Sequence, residues 1–184
     1  GIALASVPRA DRLDELEFHL GVATGGGVVG RSALAAVIAA HPTPVLPAGY
    51  HEQFGRKQFL PLKGLLKGTI DLVFRHEGRY YLADHKSSWM GFAAADYSPA
   101  AMHATMQAHD YHLQYLIYGA ALHRFLQQRV AGYSYPRHFG GSYYLFLRGM
   151  TPDAPAPRGI VYDPMNEGLV EGLARALTTG GGVP

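Results

Sequence analysis

The fold is decided by two short apolar runs, GTIDLVF at residues 68–74 and YYLADHK at residues 80–86. The five residues between them are mostly polar and include a glycine, a pattern typical of the tip of a β-hairpin. A two-residue turn at Glu77 and Gly78 would place residues at equal distances from the turn opposite each other. The alternative is a three-residue loop with Gly78 in the left-handed conformation, which would turn the second strand over.

In the first register Asp71 lies opposite Asp84, and Lys86 projects from the same face as Asp84 because side chains alternate along a strand. Two carboxylates in that position have Cβ atoms about 4.5–5.5 Å apart, and their like charges destabilise the sheet. A divalent cation beside the lysine would offset the repulsion, and such a site suits cleavage of a phosphodiester. Apolar patterning favours this register, because it gathers five side chains on one buried face: Ile70, Leu72, Phe74, Tyr81 and Ala83.

The hairpin also allows a simpler interpretation. Asp84 and Lys86 could form an ordinary ion pair on an exposed strand, which would contribute about 0–1 kcal/mol to stability. The hairpin by itself does not separate this interpretation from a metal site.

Composition indicates one globular domain, with 184 residues, 48% apolar and 16% charged residues. The absence of cysteine excludes disulfides and thiolate metal sites and is compatible with the cytoplasm. No apolar run approaches the length of a membrane span, and no signal-peptide pattern opens the chain. The net charge of +2 does not itself indicate a nucleic-acid partner. However, a basic cluster before the hairpin could hold phosphates: Arg56, Lys57, Lys63 and Lys67.

Periodicity predicts strands with flanking helices, and therefore an α/β domain. Strands are predicted at 13–20, at the two hairpin runs and at 142–147, the last covered on both faces. Helices are predicted at 31–40, from Ser98 to about 130 with a break near His109 and Asp110, and at 164–177. Residues 24–30, 42–62 and 151–158 are predicted to be irregular. The chain begins with glycine and ends in GGGVP, from which we expect it to be one piece of a larger protein.

The residues that could carry chemistry are Glu15, Asp71, Asp84 and Lys86. Magnesium takes hard oxygen ligands, so two or three carboxylates suffice, and the carbonyl of His85 at the end of a strand is a plausible further ligand. A zinc site is not indicated, because no histidine pair has ligand spacing with an obvious third ligand. We instead expect the helical histidines to lie at the surface or face a partner: His103, His109, His112 and His123.

Three motifs together resemble the signature of the RecB-family nucleases, which belong to the PD-(D/E)XK superfamily. They are Gly68-Thr69-Ile70-Asp71, then Asp84-His85-Lys86-Ser87, with Asp84 thirteen residues after Asp71, and finally Gln114-x3-Tyr118. Further segments at 106–109, 121–124, 139–141 and 147–149 are similar to the C-terminal nuclease domain of the helicase–nuclease members. The resemblance runs from about residue 13 to the last helix.

The resemblance implies a PD-(D/E)XK restriction-endonuclease-like core with a mixed β-sheet flanked by helices. It implies that Asp71, Asp84 and the His85 backbone carbonyl bind Mg²⁺ and that Lys86 is the catalytic lysine. Glu15 matches the family's upstream active-site glutamate, and Glu17 is the alternative if that alignment slips.

The resemblance also implies partners. Gln114 and Tyr118 would support the site or contact DNA, and Lys63 and Lys67 are the expected basic contacts. The parent would be a cytoplasmic, bacterial helicase–nuclease that assembles with RecC-like and RecD-like subunits and degrades double-stranded DNA from its ends. Its ATP-driven motor would lie elsewhere, since this chain has no Walker motif.

Two departures from the family pattern bear on function. His85 stands where the family usually has tyrosine, which should be tolerated because only the backbone carbonyl is expected to bind metal. The family's metal-binding histidine lies upstream of the glutamate strand, and nothing before Glu15 supplies it, so we expect this piece to be metal-deficient alone. The alternatives are a catalytically silent module that binds DNA or a partner subunit, and a standalone endonuclease of the same superfamily.

Overall fold

The computed structural model describes residues 1–24, 27–56, 62–151 and 158–179. Within these residues one sheet contains five strands in chain order: β1 (Arg12–Val22), β2 (Gly64–His76), β3 (Arg79–Lys86), β4 (Phe139–Phe146) and β5 (Ile160–Asp163). The β3–β4 pair is parallel and the other three neighbouring pairs are antiparallel, so the sheet is mixed.

Helices flank the sheet, and they are α1 (Arg31–Ala40), α2 (Tyr50–Arg56), α3 (Pro99–Ala108), α4 (Tyr111–Arg129), α5 (Tyr135–His138) and α6 (Glu167–Thr179). This arrangement confirms the predicted α/β class and is consistent with a PD-(D/E)XK-like nuclease core. In the part of the chain that the structure describes, no helix is both long and apolar enough to cross a membrane.

Local sequence signals account for the starts of three helices. The Ser98 side chain caps α3 by accepting a hydrogen bond from the Ala101 N–H. The predicted break before α4 is confirmed, because Asp110 has a φ of +57°. The side chain of Asn166 accepts a hydrogen bond from the Leu169 N–H, so α6 begins at Glu167 rather than at Pro164.

One prediction about an irregular segment needs correction, and one strand was missed. Residues 42–62 were expected to be irregular, but α2 forms there and buries Tyr50 and Phe54. The strand β5 was not predicted, because its four residues gain their pairing only from β4. The predictions for residues 25–26, 57–61 and 152–157 lie outside the described residues.

The hairpin register is confirmed from the turn to Leu72 and Ala83, but the predicted pairing of Asp71 with Asp84 is not formed, because the two strands part beyond Leu72. Leu72 pairs with Ala83 and Phe74 with Tyr81. Residues 77 and 78 form the turn, with φ values of +49° and +77°. Two consecutive positive values are those of a type I′ turn, which matches the twist of the flanking strands.

The two faces of the sheet belong to different hydrophobic clusters. Leu72, Phe74, Tyr81 and Ala83 pack in the smaller cluster with Leu145, as predicted. Ile70 was expected with them, but it packs in the larger cluster under the helices, together with Val73 and Leu82. The alternation of faces is therefore interrupted at Asp71, opposite Glu15, whose φ of +54° departs from strand geometry.

Strand β4 is covered on both faces, as expected, and it brings backbone close to backbone at Gly141. Its φ is +119°, and a Cβ there would lie 2.5 Å from the Asp163 carbonyl oxygen.

We expect Gly141→Ala to lower the free energy of unfolding by about 2–4 kcal/mol. Urea unfolding measures the effect. Gly132→Ala is the matched control, because its φ is +65° with nothing within 4 Å, and about 1 kcal/mol is expected there.

The histidine prediction was wrong for His112 and His123, which are buried. Both lie on α4, which packs between the sheet and α6. Nδ1 of His123 is 2.9 Å from the Tyr133 hydroxyl. Burial lowers the pKa of His123, and Arg124 adds to the shift while Glu171 opposes it.

This shift predicts a pH dependence of stability. The unfolded chain takes up a proton at His123 as the pH falls through about 6.5, whereas the folded chain resists protonation to lower pH. The free energy of unfolding should therefore be highest above that value and decline as the pH falls below it. His123→Gln should flatten the decline in urea titrations. His109→Gln, which changes an exposed ring, should leave it unchanged, and equal slopes for wild type and His123→Gln would contradict the prediction.

Candidate functional site

The sheet forks between β2 and β3. Strand β2 pairs with β1 from Gly64 to Phe74, but with β3 only from Leu72 onward toward the turn. Strand β3 instead continues beside β4 as far as Lys86. The gap between the parted strands is called the strand fork here, and it is defined by Asp71, Asp84, His85 and Lys86.

Beyond the last backbone pair of β2 and β3, the side chain of Asp71 binds the backbone of β3. Its Oδ2 accepts a hydrogen bond of 2.8 Å from the His85 N–H and lies 3.7 Å from Nδ1 of the His85 ring. Asp71 remains partly exposed, so its carboxylate is accessible from solvent. The fork is thus held open by a side chain rather than closed by backbone pairing.

We infer that the His85 carbonyl faces the same gap. In a strand, the N–H and C=O of one residue point to the same side, as in a hydrogen-bonded pair that exchanges both bonds. Since the His85 N–H points at Asp71, its carbonyl is directed to the β2 side, past the last ladder pair at Leu72 and Ala83. This orientation brings a third oxygen toward the two carboxylates.

Asp84 and Lys86 form a buried ion pair. Nζ of Lys86 lies 2.5 Å from Oδ1 of Asp84, and the two side chains are only 10% and 4% exposed. The ion pair of the simpler interpretation is therefore present, but its predicted location on an exposed strand is wrong. Burial raises the pKa of Asp84, an effect that Lys86 opposes and the nearby Asp71 reinforces. The ammonium and the second carboxylate thus act on Asp84 in opposite directions.

Helix α4 and strand β4 build a cradle around Lys86. Nζ donates a hydrogen bond of 2.8 Å to Oε1 of Gln114. It also lies 3.9 Å from the ring centroid of Tyr111 and 5.0 Å from that of Tyr144. Aromatic faces attract a cation electrostatically, most strongly where water is excluded. The ammonium is consequently fixed from three directions.

Gln114 connects the lysine to two tyrosines. Its Oε1 also accepts a hydrogen bond from the Tyr144 hydroxyl at 3.0 Å, and its Nε2 donates to the Tyr118 hydroxyl at 3.0 Å. Burial raises the pKa of Tyr118, with added repulsion from Asp84 and Asp71. Gln114 and Tyr118 thus lie one helical turn apart, as predicted, and the hydrogen bond between them fixes the orientation of the Gln114 amide.

Sequence reasoning missed Tyr111 and assigned Tyr144 only to the core. Tyr144 is buried, but its backbone lies beside Asp84 in the parallel register, and its hydroxyl donates a hydrogen bond to Gln114. No local pattern reveals a pairing between distant strands. Tyr111 had a usable signal, because it lies three residues before Gln114 and such positions share a helix face.

Glu15 lies in β1 at the register position opposite Asp71, between the pairs Asp14–Leu72 and Leu16–Ile70. Its side chain is exposed. The alternative, Glu17, is an exposed residue whose Oε2 is 3.4 Å from Nζ of Lys67. Register favours Glu15 over Glu17, and its active-site role stays a prediction.

The basic residues do not join the fork. Lys63 is exposed just before β2, and Lys67 is an exposed residue of β2 engaged with Glu17. Lys57 lies outside the described residues. The structure thus brings together Asp71, Asp84, His85, Lys86, Gln114 and Tyr118, and leaves Glu15, Lys63 and Lys67 outside this group.

The donor set at the fork fits a hard divalent cation in kind but is small in number. Asp71 and Asp84 supply carboxylate oxygens and His85 a carbonyl, which are the ligands that Mg²⁺ accepts while keeping several waters. Asp84 is also a buried carboxylate beside a second one, an arrangement that a cation would relieve. Among the described residues, no group of three or more histidine, aspartate or glutamate side chains is arranged to hold a metal.

Comparison with known proteins gives consistent matches. The chain is 54% identical over 113 residues to the RecBCD enzyme subunit RecB of Escherichia coli (strain K12), an alignment that covers 61% of the chain. It is 41% identical over 163 residues to that of Haemophilus influenzae, covering 89%. With Mycobacterium tuberculosis (strain H37Rv) RecB, the identity is 38% and 97% of the chain is covered. The chain belongs to the RecB family.

The matched region is a small part of each RecB subunit. The chain spans 10%, 12% and 18% of the lengths of these three relatives. No protein-family model matches it. Membership in the RecB family therefore confirms the resemblance drawn from the motifs. The roles of the individual fork residues stay predictions.

Proposed function

We propose that this chain is a magnesium-dependent DNA nuclease domain of a RecBCD-type helicase–nuclease acting in double-strand-break repair. The observation that carries the proposal is the Lys86 ammonium, held against Asp84 at the mouth of a strand fork that also presents Asp71. Membership in the RecB family supports it, because its relatives are subunits of the RecBCD enzyme.

The fork residues would hold the metal and the scissile phosphate together. Asp71, Asp84 and the His85 carbonyl are the oxygens that would bind Mg²⁺. The bound ion would supply Lewis-acid polarisation of the phosphoryl group. Glu15, on β1 opposite Asp71, is the further carboxylate that we assign to the active site.

Lys86 would act on the reacting phosphate directly. An ammonium has three N–H donors, and Asp84 and Gln114 account for two of them. The third N–H would orient the attacking water or stabilise charge that develops on the phosphoryl oxygens. A donor fixed before the reaction needs no reorganisation in the transition state, which is where such groups contribute most.

Gln114, Tyr118 and Tyr144 would position the lysine rather than touch the reacting atoms. Their hydrogen-bond network fixes the amide, and the amide oxygen fixes the ammonium. The exposed Lys63 and Lys67 would contact DNA phosphates. For the whole protein we propose DNA ends and single strands as substrates, an ATP-driven motor, and RecC-like and RecD-like partner subunits.

Magnesium titration of DNA cleavage tests this function. A labelled single-stranded oligonucleotide is incubated with the chain, and with a longer protein that includes its upstream sequence, at increasing Mg²⁺ concentrations. We expect cleavage that rises with Mg²⁺ in the longer protein and stops when a chelator is added. A longer protein without Mg²⁺-dependent cleavage would contradict the proposal.

A catalytically silent DNA- or subunit-binding module is the second candidate. It is favoured by one observation, that the described residues do not gather three metal-binding side chains. Such a module would bind the oligonucleotide equally well with and without Mg²⁺ and leave it intact in both proteins.

A further inference from the structure

The segment after Lys86 exposes two large aromatic side chains to solvent. Trp89 is 60% and Phe92 97% exposed, and their ring centroids lie 5.2 Å apart, edge to face. Two large exposed aromatic rings in contact with each other form an apolar patch that is a candidate interaction surface. Trp89 and Phe92 are called the aromatic platform below.

The aromatic platform stands on an ordered backbone. The Met90 N–H donates to the Tyr97 hydroxyl at 3.2 Å, and the Ala93 N–H donates to Oδ2 of Asp96 at 2.8 Å. Gly91 has a φ of +144°, and a Cβ there would collide with the Asp96 carboxylate. The two rings are therefore presented by a fixed turn, which lowers the entropy lost on binding.

Two arginines lie beside the platform, and one acidic residue, Asp96, lies in its supporting turn. Trp89 and Phe92 line a cavity of about 400 Å³ together with Arg148 and Arg158, and no aspartate or glutamate is among its described lining residues. Nε of Arg148 donates to the Ser87 carbonyl, which ties it to the end of β3. Nη2 of Arg158 donates to the Thr151 hydroxyl. Two guanidinium groups held by neutral partners beside exposed rings complement an aromatic polyanion.

We propose that the aromatic platform binds single-stranded DNA, with unpaired bases stacked on Trp89 and Phe92 and phosphates contacted by Arg148 and Arg158. Base–aromatic stacking together with a basic groove is how single strands are held without sequence preference. Duplex DNA does not fit, because its bases already stack on each other. The Cα atom of Trp89 is at most about 11 Å from that of Lys86, so the platform lies close to the fork. This inference rests on the proposed nuclease function, since it names the form of DNA delivered to the site.

Trp89 is the single tryptophan of the chain, so its fluorescence reports on this surface alone. Oligo-dT is titrated into the protein with chelator and without divalent metal, and compared with an abasic oligonucleotide of equal length. We expect oligo-dT to quench the fluorescence and the abasic strand to leave it nearly unchanged, because only the former has bases to stack. Unchanged fluorescence at oligo-dT concentrations that saturate binding, or equal quenching by the abasic strand, would overturn the proposal.

Substitutions at Trp89 separate stacking from general apolar contact. Fluorescence anisotropy of a labelled oligo-dT should show about tenfold weaker binding for Trp89→Ala and Trp89→Leu. Trp89→Phe, which keeps a planar ring, should stay within about threefold of wild type. The side chain is exposed, so these changes should leave the fold intact. Wild-type affinity in Trp89→Leu would overturn the proposal.

The outcome is distinguishable from that of the proposed function, because these titrations contain no divalent metal. Quenching by oligo-dT without Mg²⁺-dependent cleavage would support the platform while contradicting the nuclease. Mg²⁺-dependent cleavage without any change in Trp89 fluorescence would support the nuclease and overturn the platform.

Discussion

Lys86→Ala is expected to lower the single-turnover rate of Mg²⁺-dependent DNA cleavage by about 10²–10³-fold. The ammonium is fixed by Gln114 and two aromatic rings, so no other described side chain can take its position. The same substitution should not weaken metal binding, because it removes a cation that competes for Asp84. Single-turnover cleavage at saturating protein gives the rate, and Mn²⁺ binding followed by electron paramagnetic resonance gives the affinity.

Arg75→Ala serves as the control for Lys86→Ala. Arg75 is also a cation of the hairpin, but it lies near the turn and pairs with Asp11. Its loss should leave the cleavage rate unchanged. A Lys86→Ala protein that is folded by circular dichroism and cleaves at the wild-type rate would show that the lysine is not part of the catalytic machinery.

Lys86→Met is expected to lower the free energy of unfolding in metal-free buffer by about 3–5 kcal/mol. The reason is the charge left behind, since Asp84 is almost fully buried and its Oδ1 has the Lys86 ammonium as its ion-pair partner. An uncompensated buried carboxylate is costly, whereas a buried pair replaced as a whole by apolar groups is often neutral. Urea unfolding with chelator present measures the difference.

A double variant tests the physical reason. Adding Asp84→Leu to Lys86→Met removes the stranded charge and should restore most of the lost stability. If Lys86→Met is as stable as wild type, or if the double variant is less stable than Lys86→Met, the pair is not the buried, mutually dependent unit described here.

The hairpin could be predicted from sequence because its determinants are local. Gly78 indicated a tight turn, and the period-two apolar pattern near Phe74 and Tyr81 selected the register. The helix boundaries at Ser98 and Asp110 were predictable for the same reason. Helical spacing predicted that Gln114 and Tyr118 lie one turn apart, whereas the hydrogen bond between them was found only in the structure.

The fork could not be predicted, because it depends on pairings between strands far apart in the chain. Alternation along β2 assigns Ile70 to the face of Leu72, but the interruption opposite Glu15 places them in different clusters. Burial of Lys86 depends on α4 and β4 closing over it, which charge patterning on β3 cannot reveal. The strand β5 could not be predicted for the same reason, because its four residues are stabilised by pairing with β4.

The most direct test of the strand fork as a nuclease site is the Mg²⁺-dependent cleavage rate of Asp84→Ala beside wild type. Both are measured in the longer protein, at saturating single-stranded DNA, with DNA affinity determined separately in chelator. The fork predicts a loss of at least about 10²-fold in rate with DNA affinity unchanged. An Asp84→Ala protein that cleaves within about threefold of wild type would contradict it.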